Sequence, residues 1–376
     1  MFHYETPRAV GDVMSNRLDL MIQYPRISVI IVNYNGLKHT VECLESLFNV
    51  DYPKDKLEII VVDNGSTDGS PHVISSKFPE VKLIRLKKNY GFCIPNNIGA
   101  HIASGEYVFF LNNDTVVERS IFKELAKAIQ KYDDTVVAFA PKILYYDNRK
   151  IINVAGATLS IIGFGFYIGD GEYDSGKYSK ERYVGFGCGA AVLVRRDIFL
   201  RYGGFDSEYF ASAEEAELGY KIWLAGKKVV YIPSARVYHK VSGTFGKRGP
   251  TPQKVYLQTR NRLLNMFKFI RSQRLPYGLI LSLILDSERF LLYIIRKEKF
   301  NAFSVLYAYI DAFKKINKKS FKMKRAIWQS IAHKTKISEK YLIKIGAMSS
   351  EMECLRREIY LWRLWKINFF RKKAGE

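Results

Sequence analysis

The sequence predicts an α/β domain built on a mainly parallel sheet, followed by a basic helical region. Three observations carry that expectation. Four short β-branched or aromatic runs, ISVIIVNYN, LEIIVVDNGS, VKLIRLKKN and EYVFFLNND, each end in a polar cluster. Between them lie stretches at helical spacing, such as Leu37, Val41, Leu44, Leu47 and Phe48. Strands that alternate with helices predict βαβ units with both sheet faces covered. Beyond Pro252 the composition changes to long helical segments rich in Lys, Arg, Phe, Tyr, Leu and Ile.

Taken in order, residues 1–25 are polar and irregular and read as a tail. The four strands follow. In open sheets of this kind ligands bind beyond the carboxyl ends of the strands, and Asn33, Asp63, Asn89 and Asp114 all sit at such ends. Residues 142–187 are rich in Gly, Tyr and Asp and suit loops and short strands that wall a cleft. GCGAAVLVRRDIF reads as a strand entering a helix, and YFASAEEAELGYKIWLAG as a helix with an acidic first turn and Gly226 as its C-cap. KKVVYIPSARVYHK supplies one or two late strands. The Gly/Pro/basic stretch GKRGPTP marks a boundary, dividing the chain into residues 26–250 and 251–376.

A hydrophobic fraction of 48% and a charged fraction of 26% are those of a globular protein. The net charge of +22 is unevenly placed: 28 Lys/Arg and nine Asp/Glu fall after Pro250, so about +19 of it lies there. That region has three readings: a basic solvated helical face, a nucleic-acid surface, or amphipathic helices on an anionic membrane. RREIYLWRLWKINFFRKK sets Trp and Phe beside Arg and Lys and favours the membrane surface; nucleic acid is the least favoured. The most apolar stretch, YGLILSLILDSERFLLYII, is interrupted by Asp286, Glu288 and Arg289 and does not read as a span. Cys43, Cys93, Cys188 and Cys354 show no paired spacing, which suits a reducing compartment. With no signal-peptide pattern, the expected location is cytoplasmic and peripheral at the inner face of the membrane. Oligomeric state has no signal in the sequence.

Several polar residues can carry chemistry. Asp63, after LEIIVV, can accept from a base or ribose hydroxyl or cap the next helix. Asp114 can ligate a hard divalent cation, or NND can be a turn. Strand alternation would put Asn112 on the same side as Asp114. Glu214, Glu215 and Glu217 open a helix, where acids are favoured anyway, yet they follow an aromatic stretch able to wall a pocket. A carboxylate there can act as a general base toward a hydroxyl. His239 ends a late strand and is either structural or a ligand, and the other histidines show no metal-ligand spacing.

ISVIIVNYNG, IIVVDNGSTDGS, KNYGFCIPNNIGA, YVFFLNNDTVV, GGFDSEYFASAEEAELGYKIWLAGKKVVY and VYHKVSG occur in this order. Together they closely resemble family 2 glycosyltransferases with the GT-A fold, in the bacterial rhamnosyltransferase-like branch. The resemblance covers about Arg26 to Gly246 and extends weakly to TRNRLLNMFKF. It implies a nucleotide-sugar site formed by Asn33, Tyr34, Asn35, Asp63, Asn89, Gly91, Asn97 and Asn113, with Asp63 reaching the base. It implies Mg²⁺ or Mn²⁺ on Asp114 and His239, with Asn112 beside them. Glu215 is implied as catalytic base, with Glu214 as the alternative. The implied reaction is an inverting transfer of rhamnose or another hexose from a nucleotide diphosphate sugar. Its acceptor would be a hydroxyl of a glycan or lipid-linked molecule, in cell-surface polysaccharide synthesis. Two positions depart from the family pattern: Glu215 stands where an aspartate is usual, and GFCIPNN replaces a Gly/Ala-rich segment. The first departure also permits a non-catalytic sugar-nucleotide-binding or scaffold protein of the same fold.

Overall fold

A computed structural model of the chain describes residues 22–241, 250–350 and 353. Most of the 1–25 tail, Ser242, Gly243 and the RREIYLWRLWKINFFRKK segment lie outside the described residues. The last few residues ahead of the first strand are packed: Tyr24 meets Tyr52 edge-on, and the Tyr52 hydroxyl donates to the Pro25 carbonyl at 2.6 Å.

The elements run β1 (Ile27–Asn33), α1 (Leu37–Phe48), β2 (Leu57–Asp63), α2 (Ser70–Lys77), β3 (Lys82–Arg85), α3 (Cys93–Ile102) and β4 (Tyr107–Asn112). Next come β5 (Thr115–Val117), α4 (Ile121–Lys131), β6 (Val136–Tyr145), β7 (Ile152–Val154), β8 (Ala157–Leu159) and β9 (Gly165–Tyr167). They are followed by β10 (Arg182–Tyr183), β11 (Ala191–Arg195), α5 (Arg196–Arg201), α6 (Glu214–Leu224) and β12 (Lys228–His239). Five helices close the described chain: α7 (Pro252–Phe269), α8 (Leu275–Ile295), α9 (Lys299–Ile316), α10 (Lys319–Thr335) and α11 (Glu339–Lys344).

The main sheet has the order β10-β12-β6-β11-β4-β1-β2-β3. Its β4-β1-β2-β3 half is parallel, as the βαβ pattern predicts. The other half is mixed, because β11 runs antiparallel between β4 and β6 while β12 lies parallel to β6. Burial follows the period of two expected for strands covered on both faces. Ile27, Val29 and Ile31 of β1 pack with Leu44 and Leu47 of α1 and Phe122 of α4, whereas Ile30 joins the opposite core.

That opposite core also takes Leu218 and Trp223 of α6, Leu263, Leu264, Met266 and Phe269 of α7, and Trp328 of α10. The helical region therefore begins at Pro252 but is not a separate body, since α7 is buried along the sheet domain. Beneath it Lys268 is fully buried and pairs with Asp206 at 2.8 Å and Glu217 at 3.3 Å. Removing one partner from such a cluster costs about 3–5 kcal/mol, because the others stay buried without compensation.

One long strand, β12, replaces the one or two expected. Its pairing with β6 shifts register between Ile232 and Arg236, where Pro233 supplies no N–H. Past this bulge β12 continues to His239 and pairs antiparallel with β5.

Candidate active site

The carboxyl ends of β1 and β2 lie side by side, with Asn33 opposite Asp63. Both side chains are buried. The Asn33 amide reaches Asp63 Oδ1 at 2.8 Å, Ser70 Oγ at 2.7 Å and Ser66 Oγ at 3.0 Å, and its oxygen accepts from Thr40 Oγ1 at 2.7 Å. Asn33 thus has no free polar atom to offer a nucleotide; it fixes Asp63. The other Asp63 oxygen accepts from the Ser66 N–H at 3.1 Å within the loop; α2 starts at Ser70 with Gly69 as N-cap and no side-chain cap, so Asp63 does not cap that helix. Asn35, in the left-handed region at φ 48°, accepts from the Thr67 N–H at 2.8 Å. Tyr34 beside it is half-buried.

Asn89 and Gly91 close the same loop cluster. Asn89 Oδ1 accepts from the Gly91 N–H at 2.8 Å and from Asn64 Nδ2 at 3.0 Å. Asn64 also donates to the Gly91 carbonyl at 2.8 Å and accepts from the Tyr90 N–H at 2.9 Å. It is a site residue that the sequence reading passed over, although it directly follows Asp63. Gly91 has φ +81°, and a Cβ there would lie 2.1 Å from the Phe210 carbonyl oxygen, so only glycine fits. Asn97 is placed otherwise than expected. Its amide is taken up by the Phe205 backbone, donating to the carbonyl at 2.8 Å and accepting from the N–H at 2.9 Å. It therefore ties α3 to the segment ahead of α6. Asn113 donates to Thr40 Oγ1 at 3.0 Å, within the same network as Asn33.

β4 stops at Asn112 and a turn carries the chain into β5 at Thr115. The alternation argument that paired Asn112 with Asp114 does not apply across that turn. Asp114 instead faces His239: β5 sets Thr115 opposite His239, the Lys240 N–H donates to the Asp114 carbonyl at 3.0 Å, and His239 Nε2 lies 3.3 Å from Asp114 Oδ1. His239 Nδ1 meets Asn153 Oδ1 at 2.9 Å. Asn153, in the cleft-wall region, was not singled out by the sequence. Burial raises the Asp114 carboxyl, but the hydrogen bond and charge of His239 outweigh it and hold the group below its usual value.

The donor set suits a hard divalent cation. Where Nδ1–H is given to Asn153, Nε2 stands beside the Asp114 carboxylate 3.3 Å away, and either a proton or a cation fits between the two. Imidazole and carboxylate together suit Mn²⁺ or Mg²⁺ when substrate phosphates complete the shell. Among the described residues no three His, Cys, Asp or Glu side chains converge as a self-sufficient metal cluster.

A second carboxylate station adjoins the first. The Asn112 N–H donates to the Ala190 carbonyl at 3.0 Å, and a Cβ on neighbouring Gly189 would lie 3.8 Å from Glu214 Oε1. Glu214 is buried, and one oxygen each of Glu214 and Glu215 is buried without a hydrogen-bond partner. Burial and the charge of Glu215 push Glu214 well above the ordinary carboxyl range, and burial raises Glu215 as well. Both carboxyls therefore hold a proton to higher pH than an ordinary glutamate. The Tyr167 hydroxyl donates to Glu215 Oε1 at 2.9 Å and accepts from Cys188 Sγ at 3.5 Å. Tyr167, too, carried no signal in the sequence beyond its aromatic surroundings.

A polar strand-end pocket, a carboxylate–imidazole pair and a raised carboxyl pair thus surround one end of the sheet. Residues 28–203 match the family model Glycosyl transferase family 2. The chain is a family 2 glycosyltransferase. It is 28% identical over 244 residues to the N-acetylglucosaminyl-diphospho-decaprenol L-rhamnosyltransferase of Mycobacterium tuberculosis, covering 59% of this chain and 78% of that protein. It is 28% identical over 232 residues to the O-antigen biosynthesis protein RfbC of Myxococcus xanthus, covering 58% of this chain but only 18% of that much longer protein. The crystal structure of GalNAc-T7 with UDP, GalNAc and Mn²⁺ superposes with a TM-score of 0.54 at 20% identity, over 65% of this chain and 48% of that one. This likeness shows that the glycosyltransferase has the GT-A fold.

Proposed function

We propose that this glycosyltransferase moves rhamnose or another hexose, with inversion, from a nucleotide diphosphate sugar to a hydroxyl of a glycan or lipid-linked acceptor in cell-surface polysaccharide synthesis. The observation that carries the reading is the Glu214–Glu215 pair. Its buried, unpartnered oxygens and raised acidity range give Glu215 the properties of a general base at neutral pH. Glu215 takes the proton of the acceptor hydroxyl as that oxygen bonds to the anomeric carbon. The bond from that carbon to the nucleotide diphosphate breaks on the opposite face, and its electrons leave with the diphosphate. Glu214, raised by burial and by the charge of Glu215, stays protonated beside it, so the pair carries a single charge.

Asp63, fixed by Asn33 and Ser66, accepts from the nucleotide base, and Asn35, Asn64, Asn89 and Gly91 shape the loops around it. Asp114 and His239 hold a divalent ion, Mg²⁺ or Mn²⁺, with Asn153 orienting the imidazole. When bound, that ion neutralises charge developing on the leaving diphosphate. The similarity to the mycobacterial rhamnosyltransferase and the Myxococcus O-antigen biosynthesis protein supports a surface-glycan acceptor.

No described helix is long and apolar enough to cross a membrane. The helices α8 and α9 nonetheless expose Ile280, Ile284, Leu291, Phe300, Tyr307 and Ile310 in the strongly basic part of the chain. Apolar side chains among Lys and Arg suit the surface of an anionic bilayer, where a lipid-linked acceptor resides. We place the enzyme there as a peripheral protein of the cytoplasmic face.

The deciding experiment incubates the protein with Mn²⁺ and a panel of UDP-, dTDP- and GDP-sugars, and compares it with Glu215→Gln and Asp114→Asn. Turnover of one donor that both substitutions depress is the expected result. Wild-type turnover in both variants would remove the site assignment, and no turnover of any donor would favour a non-catalytic binding protein. Cosedimentation with phosphatidylglycerol vesicles, weakened by salt, tests the membrane placement.

A further inference from the structure

The two residues ahead of the carboxylate pair have an unusual backbone. Ser212 has φ 76° and Ala213 φ 66°, two consecutive non-glycine residues in the left-handed region, immediately before α6 begins at Glu214. Each such residue costs on the order of 1–2 kcal/mol and persists only where its surroundings enforce it.

The enforcing groups come from α7, about fifty residues further along the chain. Asn261 is fully buried and gives its amide N–H groups to the carbonyls of Ala211 at 2.9 Å and Ser212 at 2.7 Å. Asn265, also fully buried, donates to the Ala213 carbonyl at 3.0 Å and accepts from the Tyr209 hydroxyl at 2.9 Å. Three successive carbonyls are thereby held by two amides. Asn261 Oδ1 is itself set by Arg260 Nε at 2.9 Å, and the same guanidinium donates to the Glu208 carbonyl at 3.0 Å. One turn on, Lys268 pairs with Asp206 and Glu217, which flank the turn on either side. Positions 261, 265 and 268 share one helix face by the 3.6-residue period, so one stripe of α7 grips residues 206–217.

We propose that Asn261 and Asn265 are positioning residues for the reaction. They hold the left-handed turn at Ser212 and Ala213, and that turn sets where Glu214 and Glu215 stand. The helical region is then a working part of the catalytic site. This inference rests on the proposed reading of Glu215 as the base. A backbone that relaxed out of the turn would rotate the first residues of α6. A general base must stay within hydrogen-bond reach of the proton that it takes, so displacement of about 1 Å is expected to slow the chemical step by roughly 100-fold.

The test uses the full chain with Asn261→Ala, Asn265→Ala and, as a control, Asn301→Ala. Asn301 is another mostly buried asparagine of the helical region, but it donates to the Pro250 carbonyl, outside the 208–217 segment. Amide hydrogen exchange of the 208–217 segment is expected to speed up at least about tenfold in the first two variants and not in the control. On whichever UDP-, dTDP- or GDP-sugar the wild type hydrolyses with Mn²⁺, kcat is expected to fall about 10- to 100-fold with donor KM changed less than about threefold. Unchanged exchange would overturn the proposal, as would faster exchange with unchanged kcat. Asn261→Ser and Asn265→Ser retain a short donor and are expected to restore part of kcat. Loss of the cooperative thermal transition in both serine variants would also overturn it, since the amides would then hold the whole core and not the turn. Glu215→Gln separates the two readings. Full turnover in that variant defeats the base assignment, whereas a dead Glu215→Gln beside fully active asparagine variants defeats only the positioning role.

Discussion

Asp114 and Glu214 are buried almost equally, at 4% and 5% exposure, yet their surroundings pull their acidities in opposite directions. Burial acts upward on both. At Asp114 an imidazole 3.3 Å away reverses the effect, whereas at Glu214 the charges of Glu215 and Glu217 add to it. Depth alone therefore does not decide the protonation state; the partner does. The first carboxyl is held toward its ionised form, which would suit the proposed cation ligand; the second is held toward its protonated form beside the proposed base, Glu215.

The largest expected effect breaks this division of labour at its second member. Glu215→Gln removes the ionising group and is expected to lower kcat by about 10²- to 10⁴-fold, the usual range for losing a general base. Glu214→Gln keeps an N–H donor facing Glu215 and is expected to cost less than about tenfold. Steady-state turnover of both variants on the same donor checks the contrast. Equal losses would mean that the pair acts as a unit without distinct roles.

At the first station the expected effect is smaller and falls on ion affinity. Asn153→Ala releases the His239 ring from its 2.9 Å contact. Loss of such an orienting partner weakens metal affinity by about 10- to 100-fold. A Mn²⁺ titration of turnover reads this as a higher activating concentration with little change in kcat at saturation. An unchanged titration curve would mean that His239 is not a ligand.

The two stations also differed in how far they could be read from the sequence. The β1, β2 and β4 ends were legible, because alternation and polar strand termini are local signals, and Asp63 and Asp114 stand there. Glu214 and Glu215 were visible as an acidic first turn. What holds those carboxylates was not visible. Asn153, Tyr167, Asn261 and Asn265 lie 48 to 86 residues away from the groups they contact, and one asparagine or tyrosine among many carries no pattern. Asn33 and Asn97 show the converse. The strand-end position of Asn33 and the family resemblance at Asn97 suggested ligand contact, yet the fold spends both amides internally, on Asp63 and on Phe205. The mixed half of the sheet was hidden for a similar reason, since a five-residue apolar strand such as β11 reads alike in either direction.

A third prediction uses pH to sharpen the contrast. The folded pKa of both glutamates lies above the ordinary value of 4.5, so native protein binds more protons there than the unfolded chain. The stability they contribute is fully present below the unfolded pKa and is lost as pH rises through the folded values. Glu214→Gln removes that loss, and its melting temperature is expected to gain on the wild type as pH rises from about 4.5 toward neutrality. Activity follows the opposite sense. The base must be deprotonated, so the acid limb of kcat/KM is expected above the ordinary glutamate range. A limb near 4.5 would contradict the raised pKa of Glu215.

The smallest expected effect concerns the hydroxyl that keeps Glu215 from rising further. Tyr167 donates to Glu215 Oε1 and thereby favours its ionised form. Burial pushes the neighbouring Cys188 thiol up to about 12, so it stays protonated and gives its S–H to the Tyr167 oxygen. The tyrosine proton is then committed to the glutamate. Tyr167→Phe keeps the ring and removes only this donor. Glu215 should then ionise at higher pH, moving the acid limb of kcat/KM upward. At pH values above the limb the variant should approach the wild-type rate within about threefold, because the base is then ionised in both. Donor KM should not move, since the tyrosine faces the base and not the strand-end pocket. A limb that stays in place while kcat falls at every pH would show that Tyr167 orients the base and does not tune its ionisation.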